Sequence, residues 1–145
     1  MLCLAAACLS ASPIAAQTGL PSGCRNNDRS ACAFRMELDS LVEGLIDGSG
    51  NARNYFLVEI TRPGVYELYT TRESHPLGST ANVKLDVVDS DGNSLLDQYL
   101  HYDDSDQHRE LIEFSTAGSY LITYNYNTGN FPVGFTLTLR PRARA

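Results

Sequence analysis

From Phe34 to Leu139 the chain is written in short apolar runs separated by turn residues. The runs fall at 34–38, 41–46, 55–61, 64–71, 82–88, 95–102, 109–115, 119–126 and 133–139. Runs of this length and spacing predict strands of a β-sandwich or barrel. Several alternate with period two, as half-buried strands do. Phe56, Val58 and Ile60 share one face, opposite Tyr55, Leu57, Glu59 and Thr61. Tyr66, Leu68 and Thr70 oppose Glu67 and Tyr69, and Val83, Leu85 and Val87 oppose Lys84 and Asp86. Tyr120, Ile122, Tyr124 and Tyr126 oppose Leu121, Thr123 and Asn125. Tyr120 and Ile122 are accordingly expected in the core. No segment carries a sustained helical stripe.

The breaks between runs have their own chemistry. Arg62-Pro63-Gly64 suits a hairpin, because Pro presets φ and Gly permits positive φ. Asp89-Ser90-Asp91-Gly92-Asn93 contains Asp-Gly, a strong short-hairpin signal. Ala117-Gly118 parts two strong strands, Thr128-Gly129-Asn130 precedes the last, and residues 72–80 read as a long loop.

The order of these pieces resembles the bacterial pre-peptidase C-terminal domain, a module appended to secreted peptidases. The resemblance covers about Leu41 to Leu139. It runs through SLVEGLIDGSGNARNYFLVEI, RPGVYELYTT, VKLDVVDSDGNSLLD, HYDDSD, STAGSYLITY and GFTLTL. It implies an all-β fold, a jelly-roll-like antiparallel β-sandwich of about eight to nine strands. It also implies a non-catalytic accessory role, here without a peptidase domain.

The N-terminal residues 1–16 hold no charge, and their apolar run from Leu2 to Leu9 is too short to span a bilayer. They read as a secretory signal peptide cleaved between Ala16 and Gln17. Lipoprotein anchoring through Cys8 is the lesser alternative, since only seven residues precede it. Residues 17–33 read as a polar linker, 34–140 as the β-sandwich domain and 141–145 as a basic tail. No second hydrophobic span follows, so no membrane-embedded segment is expected in the mature chain. With cleavage, Cys24 and Cys32 remain. An even pair in an exported protein predicts a disulfide, peripheral to the fold. A metal half-site is the weaker option, with no His between the two thiols.

The chain carries a formal net charge of −6. Seven Asp and no Lys or Arg lie between Asp86 and Asp106, while Arg140, Arg142 and Arg144 make the C-terminus basic. An acidic body argues against nucleic acid, whose phosphates demand clustered cations. No cofactor is expected, and calcium is the one candidate considered. Asp103, Asp104 and Asp106 are its candidate ligands. Asp89, Asp91 and Asn93 form a second oxygen-rich turn at the other end of the same hairpin, too far away to share one ion. The competing reading makes both turns solvated, with Asp side chains satisfying turn amides.

His75, His101 and His108 stand in no nucleophile-elbow, HExxH or phosphate-loop context. Tyr99, Tyr102, Tyr124 and Tyr126 are candidates for a sugar-stacking ligand platform, against ordinary core or rim packing. The leading expectation is an exported accessory domain that binds a protein or extracellular polymer. A calcium-assisted carbohydrate- or peptidoglycan-binding module is the alternative. A hydrolase with an unrecognised site comes third.

Overall fold

In a computed structural model, the described residues are 19–46, 53–72, 82–100, 107–128 and 133–142. Every predicted apolar run contains a strand. They are β1 (Phe34–Arg35), β2 (Val42–Ile46), β3 (Arg53–Ile60), β4 (Gly64–Arg72) and β5 (Asn82–Val88). β6 (Ser94–Leu100), β7 (Gln107–Phe114), β8 (Gly118–Thr128) and β9 (Val133–Pro141) follow. A five-stranded sheet has the order β1-β3-β8-β5-β6, and a four-stranded sheet the order β2-β9-β4-β7. The result is the expected jelly-roll-like sandwich. One pairing departs from the antiparallel expectation: β1 runs parallel to β3.

The period-two pattern sets which face is buried. Phe56, Val58 and Ile60 from β3, Val83, Leu85 and Val87 from β5, and Tyr120, Ile122 and Tyr124 from β8 face inward. From the other sheet come Val42, Ile46, Tyr66, Leu68, Ile112, Phe114, Phe135, Leu137 and Leu139. Each fully buried side chain of this size contributes about 1.5–3 kcal/mol before chain entropy is counted. Phe135 joins the layers: its ring stacks on Tyr124 with centroids 3.9 Å apart and meets Phe56 edge-on at 6.1 Å.

At one end of the sandwich the same short motif closes both sheets. In Arg62-Pro63-Gly64-Val65-Tyr66 the Tyr66 hydroxyl donates to the Arg62 carbonyl at 2.8 Å. In Thr116-Ala117-Gly118-Ser119-Tyr120 the Tyr120 hydroxyl donates to the Thr116 carbonyl at 2.7 Å. A tyrosine reaching back to upstream backbone is a recurring β-sandwich device. Gly64 and Gly118 take φ of 154° and 151°, a region that side chains rarely enter. Both tyrosine rings pack edge-on against Phe114, at 5.2 and 4.6 Å.

The segment expected to be a linker is docked. Gly19 and Arg35 exchange two backbone hydrogen bonds. The Tyr55 amide donates to the Asn27 carbonyl at 2.8 Å, and Asn27 Nδ2 donates back to the Tyr55 carbonyl at 3.0 Å. The Met36 amide donates to the Leu57 carbonyl. Together these contacts cover the β3 edge, which would otherwise present unpaired backbone groups. A 3-10 turn at Ser30–Cys32 carries the buried Cys32, which is disulfide-bonded to Cys24 across a Cα separation of 5.6 Å.

Candidate functional site

Of the four tyrosines considered as a platform, Tyr99 and Tyr124 have described side chains, and these two lie on opposite faces of the five-stranded sheet. Tyr124 faces the core, fully buried and stacked on Phe135, because it continues the inward phase of Tyr120 and Ile122. This corrects its candidacy as a ligand-facing ring. Tyr99 faces outward and is half exposed on β6. Lys84, its cross-strand partner, lies 5.6 Å from the ring centroid. Lys84 also pairs with Asp97 at 3.2 Å and Asp86 at 3.4 Å. These carboxylates, led by the Asp97 hydrogen bond, hold the ammonium above the usual lysine range. Tyr102 and the Tyr126 side chain lie outside the described residues.

The acidic candidates divide in the same way. Asp103, Asp104 and Asp106, the candidate calcium ligands, lie outside the described residues, as do His75 and His101. In the other turn, Asp89 Oδ1 accepts from the amides of Asp91 and Asn93 at 2.9 and 2.8 Å. Asp89 Oδ2 accepts from Asn93 Nδ2 at 3.0 Å. Those bonds, the Asn93 side chain foremost, hold the Asp89 carboxyl below its ordinary range. This carboxylate is engaged in building its own turn. Among the described residues no three His, Cys, Asp or Glu gather as metal ligands.

The feature that pattern reading missed is on the outer face of the four-stranded sheet. Glu67 on β4 stands between Leu111 on β7 and Arg140 on β9. Its Oε1 accepts from Arg140 Nη2 at 2.7 Å and Arg140 Nε at 3.1 Å. It also accepts from Arg109 Nη1 at 2.9 Å. Arg142 Nη1 lies 3.8 Å from Oε2. The Arg140 hydrogen bond is the leading reason that the Glu67 carboxyl titrates below the usual glutamate range. The Arg109 guanidinium also lies 4.4 Å from the centre of the Tyr69 ring, a cation–π arrangement. Arg142, from the expected basic tail, therefore joins Arg140 of the sandwich on the sheet surface.

Beside this cluster the surface dips into an open groove of about 760 Å³. Leu38, Pro63, Val65, Leu111 and Pro141 give it apolar walls, and Arg62, Glu113 and Arg142 give it charge. Val65 and Leu111 are among the large apolar side chains left exposed. No alternation rule marks this site, since its parts lie 42 and 73 residues apart in sequence.

No family model matches the chain, and no curated protein matches it in sequence. Solved structures do resemble its fold. The pre-peptidase C-terminal domain of collagenase from Bacillus anthracis superimposes with a TM-score of 0.57 at 11% identity, covering 73% of this chain and 92% of that one. Looser likenesses are to Aeromonas hydrophila PliG, a periplasmic lysozyme inhibitor of g-type lysozyme, and to the Yersinia pseudotuberculosis-derived mitogen. PliG has a TM-score of 0.39 at 10% identity, covering 73% of this chain and 96% of that one. The mitogen has 0.42 at 15% identity, covering 73% and 87%. The fold resembles that of the pre-peptidase C-terminal domain, as the order of its strand signatures implies.

Proposed function

We propose that this chain is an exported, non-catalytic accessory domain that works by binding a protein or extracellular polymer through the outer face of its four-stranded sheet. The observation that carries the reading is the open apolar groove walled by Leu38, Pro63, Val65 and Leu111 beside a guanidinium cluster. Exposed apolar surface bordered by polar groups is characteristic of interaction sites. The disulfide supports export, because such bonds persist in oxidising compartments. The fold likeness to a domain of a collagenase fits an accessory role.

The test is affinity capture from the native envelope and culture fluid, with the wild-type protein and Leu111→Lys as paired baits. A macromolecule retained by the wild type and lost from the variant supports the reading. Equal retention by both baits moves binding off this face. Turnover of a substrate by the purified protein overturns the non-catalytic part.

A carbohydrate-binding reading rests on the outward ring of Tyr99. It predicts sedimentation with insoluble polysaccharide or peptidoglycan that Tyr99→Ala abolishes.

A further inference from the structure

We infer that the outer face of the four-stranded sheet packs against the same face of a second copy of this chain, as a twofold dimer. This inference rests on the binding role proposed above and names the occupant of that surface.

Apolar exposure singles out the face. Among the described residues the exposed large apolar side chains are Leu20, Leu41, Leu45, Val65, Tyr99 and Leu111. Leu45 on β2 neighbours the inward Ile46, and Leu41 precedes the inward Val42. Val65 and Leu111 neighbour the inward Tyr66 and Ile112. By alternation all four leucine and valine side chains from Leu41 onward lie on the outer side of this one sheet. Single exposed leucines are ordinary, but their collection on one face marks an interaction surface.

Charge points to a second copy. The outward positions hold three carboxylates, Glu43, Glu67 and Glu113, and three guanidiniums, Arg109, Arg140 and Arg142. These cancel, on a chain whose formal net charge is −6. Two copies repel through their net charge, and this face is where that repulsion is least. The arrangement is also self-complementary. Glu67 and Arg140 are direct cross-strand partners on the two middle strands, β4 and β9. A twofold axis running along the strands between them sets Arg140 over Glu67 of the second copy, and Glu67 over its Arg140. That reciprocity is what an isologous contact requires. Arg109, Arg140 and Arg142 each keep about half of their side chain in solvent, so they retain donors for a second carboxylate.

The area suffices. Strands spaced about 4.8 Å apart and rising about 3.3 Å per residue give this sheet a flat footprint of roughly 500 Å². Two copies therefore cover about 1,000 Å² before side-chain relief is added, the lower bound for a specific interface. A contact of that size is a reversible one, with a dissociation constant in the micromolar range.

The experiment is sedimentation velocity of the purified protein from about 1 to 200 µM, a range that brackets micromolar association. The mass should double across it, and the midpoint should rise with salt. Leu45→Arg and Leu111→Arg each enter a twofold contact twice, and each should weaken it at least tenfold. Leu20→Arg, off the face, should leave it unchanged. Thermal unfolding checks that all three variants are folded. A monomer at every concentration overturns the inference, and so does equal association by all three variants. A monomer whose affinity capture still depends on Leu111 removes only the second copy as occupant. If capture is also indifferent to Leu111, the binding role of this face falls with it. A dimer that is lost in Leu45→Arg and Leu111→Arg but kept in Leu20→Arg supports the inference whatever capture returns.

Discussion

The ring of Phe135 lies over Gly44, its direct cross-strand partner on β2. A Cβ placed at Gly44 would fall within 2.8 Å of three ring carbons. The missing side chain therefore gives Phe135 room to stack on Tyr124 of the opposite sheet. Gly44→Ala should cost about 1–3 kcal/mol through overpacking. Urea unfolding followed by tyrosine fluorescence measures it. A loss under about 0.5 kcal/mol would show that the ring moves aside freely.

Tyr120 combines a buried ring with a hydroxyl that donates to the Thr116 carbonyl at 2.7 Å. The two contributions separate by mutation. Tyr120→Ala should lose roughly 3–5 kcal/mol, the usual range for a large core aromatic. Tyr120→Phe should lose about 1–3 kcal/mol, the net worth of two hydrogen bonds, since the hydroxyl also pairs with Thr116 Oγ1 at 3.0 Å. Equal losses in the two variants would place the stabilisation in the hydroxyl alone.

The depressed pKa of Glu67 has a definite sign in stability. Arg140 foremost, with Arg109, favours the ionised form in the folded state. Glu67 therefore contributes stability above the ordinary glutamate pKa, and that contribution is lost as pH falls through the lowered folded value. The Tm gap between wild type and Glu67→Gln should be widest near neutral pH and close as the medium becomes acidic. A gap that stays constant across the carboxylate range would mean that Glu67 acts by shape rather than charge.

The Cys24–Cys32 bond closes a short loop whose second member is buried against the sandwich. Replacing both by Ser should cost about 2–3 kcal/mol in the chain-entropy picture. The far-ultraviolet spectrum of the two sheets should remain, because the core strands lie elsewhere. Loss of that spectrum at room temperature would show that the β3 edge cannot stand without its docked segment. Mass spectrometry of non-reduced digests reports the bond directly.

Alternation made most of the strand phases legible. Phe56, Tyr66, Val83 and Tyr120 are inward as their runs imply, because each lies in a strand with one wet face. The same rule placed Tyr124 two residues beyond Ile122, and therefore inside. Considering it as a platform ring put residue type ahead of phase. The candidate surface was harder to foresee. Glu67 meets Arg109 and Arg140 only because β4 lies between β7 and β9, and sheet order is a tertiary property that no local pattern encodes. The docking of Asn27 on Tyr55 was hidden for a related reason: a polar segment without alternation looks like a linker until an open edge is found for its backbone.

The paired tyrosine corners have a kinetic consequence. Ladders such as Val42 with Leu137 and Thr70 with Leu137 join distant parts of the chain. Closing such loops costs entropy before any contact rewards it, which makes folds of this kind slow. Tyr66 to Arg62 and Tyr120 to Thr116 span only four residues. Each corner can therefore form while the rest of the chain is still open. Phe114, which precedes one corner by two residues and packs on both rings, brings them together. The nucleus expected for this sandwich is the pair of corners around Phe114, with φ-values there above those of β2 and β9.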